Sequence, residues 1–128
     1  MENTGKSALG GIDGNIAALL GYIIWIVALI LLIIEKENRF VKFHAIQSLL
    51  LHAAAIVVFI AMVILLTILG VVLAMAHLGA LVGLLWLLYM VVVLGYIGAL
   101  IFSAVKAYGG VEFKLPIIGE MAAKWAGQ

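Results

Sequence analysis

Polar and apolar positions alternate along this chain in long blocks. Residues 1–14 are polar and glycine-rich, with Gly5, Gly10, Gly11 and Gly14, and read as a flexible lead-in. Residues 15–34 carry no charge and are long enough to cross a hydrocarbon core of roughly 30 Å as one helix. Asp13 or Asn15 is positioned to cap it. Glu35 to Lys42, EKENRFVK, is a charged connector in which Asn38 is the natural cap for the next helix. From Phe43 to Val105 there is no Asp, Glu, Lys or Arg. That tract is too long for one helix and too short for three crossings with turns, so it predicts two. The first runs over 40–75 with an interfacial start, Gly70 marking a place where it would kink or stop. The second runs over 80–106, with the break near His77-Leu78-Gly79-Ala80. The tail, 107–128, opens on a Gly109-Gly110 turn and passes through the alternating VEFKL segment. Pro116 then starts a short helix on which Ile117, Met121 and Trp125 recur every four residues.

The fold class this pattern predicts is an all-α integral membrane protein. It has three transmembrane helices and a short C-terminal interfacial helix in a single membrane domain. Composition agrees. The chain is 68% hydrophobic and 10% charged, with mean hydropathy +1.37, whereas a soluble domain is nearer half apolar and a quarter charged. The partner implied throughout is the lipid bilayer. A net charge of +1 gives no footprint for nucleic acid. Absence of cysteine excludes disulfides and thiolate chemistry. No basic start precedes the first apolar run, so a cleavable signal peptide is not expected.

Three crossings place Lys6 alone on one side and Lys36, Arg39, Lys42, Lys106, Lys114 and Lys124 on the other. The positive-inside rule then sets residues 35–42 and the tail in the cytoplasm of a multi-pass plasma-membrane protein, with the N-terminus outside. Gly79, Gly83, Gly95, Ala99 and Ser103 form a small-residue stripe suited to close helix packing. Its partner is a helix of the same chain or of a second copy in a homo-oligomer.

Candidate chemistry gathers at the start of the second span. His44, Ser48 and His52 share one helix face, with Gln47 beside them. Intramembrane polar residues either bond between helices or line a wet path. His44 and His52 are about 12 Å apart along a helix and cannot chelate one ion together. No metal site, cofactor or catalytic motif is expected, and the basic residues of the connector offer weak attraction to anionic headgroups.

Two stretches, NRFVKFHAIQSLLLH and YGGVEFKLPIIG, carry a resemblance. They are similar to a widespread, uncharacterised family of small prokaryotic membrane proteins distantly related to the Tic twenty component of the chloroplast import machinery. The matching positions are Arg39, Phe40, Phe43, His44, Gln47 and Ser48, with Gly110, Lys114, Leu115, Pro116 and Gly119 in the tail. The resemblance implies a helical bundle whose FHAIQS segment opens the second helix. With the residues, it points to a non-catalytic bundle acting by association, an accessory factor in membrane-protein assembly or translocation whose partner is another membrane protein. The alternative is an oligomeric channel or small carrier using the His44-Gln47-Ser48-His52 face. The segment KLPIIG is expected to return to the 35–42 junction, because FKLPII is too apolar to hang in water.

Overall fold

The structure is a computed structural model and describes residues 4–127. Its elements are α1 (Gly14–Ile23), α2 (Trp25–Ile34), α3 (Arg39–Met75), α4 (Val82–Tyr108) and α5 (Ile118–Trp125), with a 3₁₀ turn at Gly79–Leu81. No strand occurs among the described residues. The chain divides into two compact units, one made of the residues up to His52 with those from Ala99 on, the other of Ala53–Gly98.

The first unit departs most from the expected layout. The stretch 15–34 is not one crossing helix. A single extended residue, Ile24 (φ −124°, ψ 103°), splits it into two ten-residue helices. Each is about 15 Å long, half of what a crossing requires. The two arms fold back on each other: a methyl built on Gly21 would sit 3.6 Å from Ala28 Cβ and 3.6 Å from Leu31 Cδ1. In a straight helix those residues would be about 10 Å or more apart along the axis. Ala17, Ala28 and Leu31 of the two arms bury against Val41 and Ala45 of α3. Ala18 and Tyr22 bury against Ala104 and Ala107 of α4.

Folding back brings the lead-in beside the connector, two segments expected on opposite sides of a membrane. The lead-in is also folded, where a flexible one was expected. Lys6 and Asp13 form an isolated antiparallel bridge and an ion pair, and Gly10 and Gly11 turn the chain at positive φ. The Ser7 hydroxyl donates to Glu35 at 3.1 Å, and the Ala8 N–H donates to the same carboxylate at 2.8 Å. Asp13 occupies the cap position of α1, but its carboxylate is committed to Lys6 instead of the helix. Asn15, inside α1, donates to the Tyr108 carbonyl at the end of α4.

Asn38 does cap α3. Its Oδ1 accepts from the Val41 N–H at 3.1 Å, while its carbonyl takes the Lys42 N–H at 3.0 Å. The helix runs unbroken through Gly70 to Met75. It ends in a Schellman motif: the Leu78 N–H bonds the Leu73 carbonyl and the His77 N–H bonds the Ala74 carbonyl. His77 takes the left-handed position (φ 60°) that glycine usually fills. The C-terminus of α4 ends the same way, Gly110 at φ 78° with Gly110 and Val111 donating to Ala107 and Lys106.

In the second unit, α3 and α4 run antiparallel. Phe59 meets Tyr89 and Tyr96 at ring-centroid distances of 6.0 and 5.8 Å. A groove of about 390 Å³ lies between Val63, Leu66 and Thr67 on one helix and Val82, Leu85, Trp86 and Tyr89 on the other. Most of this unit's large apolar side chains are exposed, as expected where the surroundings are lipid. Among the described residues, α3 and α4 are the two helices long and apolar enough to cross a membrane. The glycines Gly79, Gly83 and Gly95 have nothing within 4 Å of an added Cβ. Among the described residues of this chain, then, no neighbouring helix packs closely against them. Ala99 is half-buried and Ser103 fully buried, both in the first unit.

Candidate functional site

The polar residues at the start of α3 point inward, and their partners come from three other parts of the first unit. One turn of α3 after another supplies Phe40, His44, Gln47 and Ser48, because the 3.6-residue repeat sets these on adjoining faces. The α1 arm supplies Tyr22 and Gly21. The tail supplies an extended backbone at 111–115.

Gln47 is the centre. Fully buried, it makes three bonds. Its Nε2 donates to the Tyr22 hydroxyl at 2.8 Å and to the Phe113 carbonyl at 2.9 Å, and its Oε1 accepts from the Leu115 N–H at 2.9 Å. The carboxamide thus pairs with residues 113 and 115 as a neighbouring strand would. The Leu115 N–H can only donate, which fixes the amide orientation and makes Nε2 the donor toward Tyr22. The Tyr22 O–H proton is then free for His44 Nδ1, 3.0 Å away. That assigns the imidazole an acceptor at Nδ1 and its proton to Nε2.

His44 is fully buried within the protein, and the rings of Tyr22, Phe40 and Phe43 meet it edge-on with centroids 5.7, 4.6 and 4.9 Å away. Its Nε2 and the Ser103 hydroxyl are buried atoms without a hydrogen-bond partner among the described residues.

Ser48 has a different task. Its hydroxyl donates to the Gly21 carbonyl at 2.7 Å. In an unbroken helix that carbonyl would accept from the Trp25 N–H, but the break at Ile24 frees it. Away from water, a freed carbonyl must find a donor, and Ser48 provides one. His52, half-buried, turns its Nδ1 onto the Ser48 carbonyl at 2.7 Å. A carbonyl only accepts, so Nδ1 carries the proton there. The His44-Gln47-Ser48 part of the stripe is therefore used in bonds that join α3 to α1 and to the tail.

The two motif segments meet at this point. Phe43 and Ile46 pack on Ala122, Ala123 and Ala126 of α5. Ile117 and Trp125 are exposed on the other side of that helix and Met121 borders on exposure. Arg39 pairs with Glu112. Lys114 reaches Glu120 at 3.4 Å. A methyl at Gly119 would come within 2.5 Å of Lys114 Cα, so only glycine lets α5 start against the 114 backbone. Pro116 and Ile117 make the corner: the Ile118 N–H bonds the Pro116 carbonyl at 2.7 Å, with Ile117 at φ 65°, a strained position for a β-branched residue.

Outside this network lies a polar groove of about 600 Å³, with Lys6, Asn38, Arg39 and Glu112 on its walls. Nearby, Glu35 is enclosed by the lead-in. Burial alone would raise its carboxyl. The backbone N–H groups of Ala8 and Asn38, the Ser7 hydroxyl and the Glu37 backbone together outweigh that and hold it below the ordinary carboxylate value.

The structure adds Tyr22, Glu35, Glu112 and Asn15 to the residues the sequence singles out for this site. A tyrosine in the middle of an apolar run was the available signal, since a buried phenol needs a partner for its hydroxyl. Nothing local marked Glu35 as bound to residues 27 and 28 positions away.

The residues from 7 to 122 match the model of the magnetosome magnetite crystal formation protein family. A UPF0132 membrane protein of Methanocaldococcus jannaschii is 37% identical over 95% of this chain and 96% of its own. A second from that organism is 31% identical over 90% of this chain and 71% of its own. A UPF0132 membrane protein of Archaeoglobus fulgidus is 32% identical over 88% and 95%. No solved structure matches. With helices fit to cross a bilayer and relatives named as membrane proteins over nearly its full length, the chain belongs to the magnetosome magnetite crystal formation protein family, alongside the archaeal UPF0132 membrane proteins.

Proposed function

We propose that this chain is a non-catalytic membrane bundle that works by association, its polar end serving as a rigid docking platform for another membrane protein or a second copy of itself. One observation carries the reading. The side chains with chemical potential at that end (Tyr22, His44, Gln47 and Ser48) are buried and spent on holding the hairpin and the tail. None of the four is presented to a substrate. The connector and the tail are assigned to the cytoplasmic face of the plasma membrane by the positive-inside rule. The resemblance of the two motifs to a prokaryotic family distantly related to the Tic twenty component favours, as partner, a protein in transit or its insertion machinery. The family's description speaks of magnetite crystal formation. Among the described residues no three His, Asp or Glu side chains gather to hold a metal ion. What this chain would share with that process is therefore the membrane scaffold.

The competing reading is a channel or carrier lined by the His44-Gln47-Ser48-His52 face, and the burial of the first three counts against it. A photocrosslinker at exposed Lys36 or Lys124 in intact cells tests the proposal. Discrete adducts with one membrane protein, or with a second copy, are expected from these sites. Absence of any adduct, together with ion or solute flux in liposomes that is lost in His52→Ala, would replace association with transport.

A further inference from the structure

We infer that the α1–α2 hairpin is a re-entrant element. It enters one leaflet of the bilayer, turns at Ile24 and leaves by the same face, so its outer surface has the acyl chains of that leaflet as its partner.

Both ends of the hairpin are tied to one place. Before α1, Gly14 N–H bonds the Gly5 carbonyl at 2.8 Å, and Thr4 Oγ1 accepts from the Asn15 N–H at 2.9 Å. After α2, Glu35 takes the Ser7 and Ala8 bonds, and Asn38 Nδ2 reaches the Thr4 and Lys6 carbonyls at 2.8 and 3.0 Å. A chain that crossed a bilayer between residues 15 and 34 could make none of the bonds that Glu35 and Asn38 form with the lead-in. Each arm, at about 15 Å, spans half of a roughly 30 Å core.

The surface of the hairpin is divided accordingly. Its inner side is small and buried against α3 and α4. The turn and outer side, Ile23, Ile24, Trp25, Ile26 and Ile33, are exposed and wholly apolar. In the same unit the opening turns of α3 and the closing turns of α4 pack directly on the hairpin, so the medium around those two helices also surrounds it. The freed Gly21 carbonyl at the turn is covered by Ser48, which lowers the polar cost of placing a broken helix in lipid.

The charge distribution changes with this. Lys6 joins the connector and tail, so all seven lysines and arginines gather at one end, while residues 76–78 between the two long helices carry none. The split of one against six becomes complete, and the N-terminal lead-in moves to the cytoplasmic side with the rest.

The inference rests on α3 and α4 crossing the membrane, not on the association reading. The chain has no cysteine, so Ala8→Cys, Lys36→Cys and Ala76→Cys each carry a single thiol at an exposed position. Each variant is treated with a membrane-impermeant maleimide in right-side-out and in inverted vesicles. Ala8→Cys and Lys36→Cys should label from the same face and be fully protected from the other, with Ala76→Cys labelling from the opposite face. Ala8→Cys labelling opposite Lys36→Cys would overturn the hairpin and leave the docking platform standing. All three labelling from one face would overturn the crossing of α3, and the hairpin's placement with it.

Discussion

Replacing Gln47 with methionine keeps the volume of the side chain and removes its hydrogen bonding. Three bonds vanish together, to Tyr22, Phe113 and Leu115. At a net value of about 1 kcal/mol each, the loss is about 3 kcal/mol. The Phe113 carbonyl and the Leu115 N–H would then face a thioether, and leaving them unpaired costs more than losing the bond. The tail can escape that penalty by lifting away into water, so tail docking, not the helices, should absorb the damage. A loss of about 3 kcal/mol corresponds to an opening equilibrium more than 100-fold more favourable. The readout is hydrogen exchange at the Leu115 amide in detergent or nanodiscs, where exchange should accelerate about 100-fold while helix content holds. Acceleration below about fivefold in a folded variant would refute the idea that this carboxamide holds the tail.

Gly119→Ala should also loosen the tail, since the new methyl meets backbone 2.5 Å away at Lys114, and neither side can yield without moving α5; a cost of about 1–3 kcal/mol is expected, read as faster proteolysis after Gly110. Asn38→Ala removes the cap of α3 and two bonds to the lead-in; about 1 kcal/mol is expected from the cap alone, seen as earlier thermal unfolding and exposure of residues 4–13 to protease. Because the Glu35 carboxyl lies below its ordinary value when folded, its contribution is present above the unfolded carboxylate value of about 4.3 and is lost as pH falls through the folded one. Lead-in docking should therefore weaken on acidification, and Glu35→Gln should flatten that dependence in a pH series of limited proteolysis. His77→Gly replaces a strained left-handed residue with the one suited to it, and should raise the melting temperature slightly, a gain of up to about 1 kcal/mol.

The all-helical character and the two long apolar helices were legible because nothing but lipid can accommodate an uncharged tract running from Phe43 to Val105. Asn38 as a cap was legible from its place between charge and apolar run. The fold-back at Ile24 was not. WIVALILLII continues the apolar pattern of the residues before it, and no glycine or proline stands at the turn. What holds the bend lies elsewhere: Ser48 takes the freed carbonyl, and Glu35 and Asn38 fasten the ends. A helix count taken from hydropathy alone sees 20 apolar residues and returns a crossing. At the site, the shared face of His44, Ser48 and His52 was readable from spacing, but its direction was not, since spacing alone cannot tell whether such a face looks toward protein or water. The small-residue stripe meets a related limit. Gly79, Gly83 and Gly95 show where a backbone can be approached, not that anything approaches it.

The reach of Gln47 across 66 residues of sequence also imposes an order in time. When the ribosome has made the start of α3, the carboxamide has no backbone to grip, and it stays so while everything from Ala53 to Gly98 is synthesised and inserted. Only when the chain emerges past Leu115 can the pocket shut. A nascent molecule stalled short of that point would hold Gln47 without the backbone that closes over it.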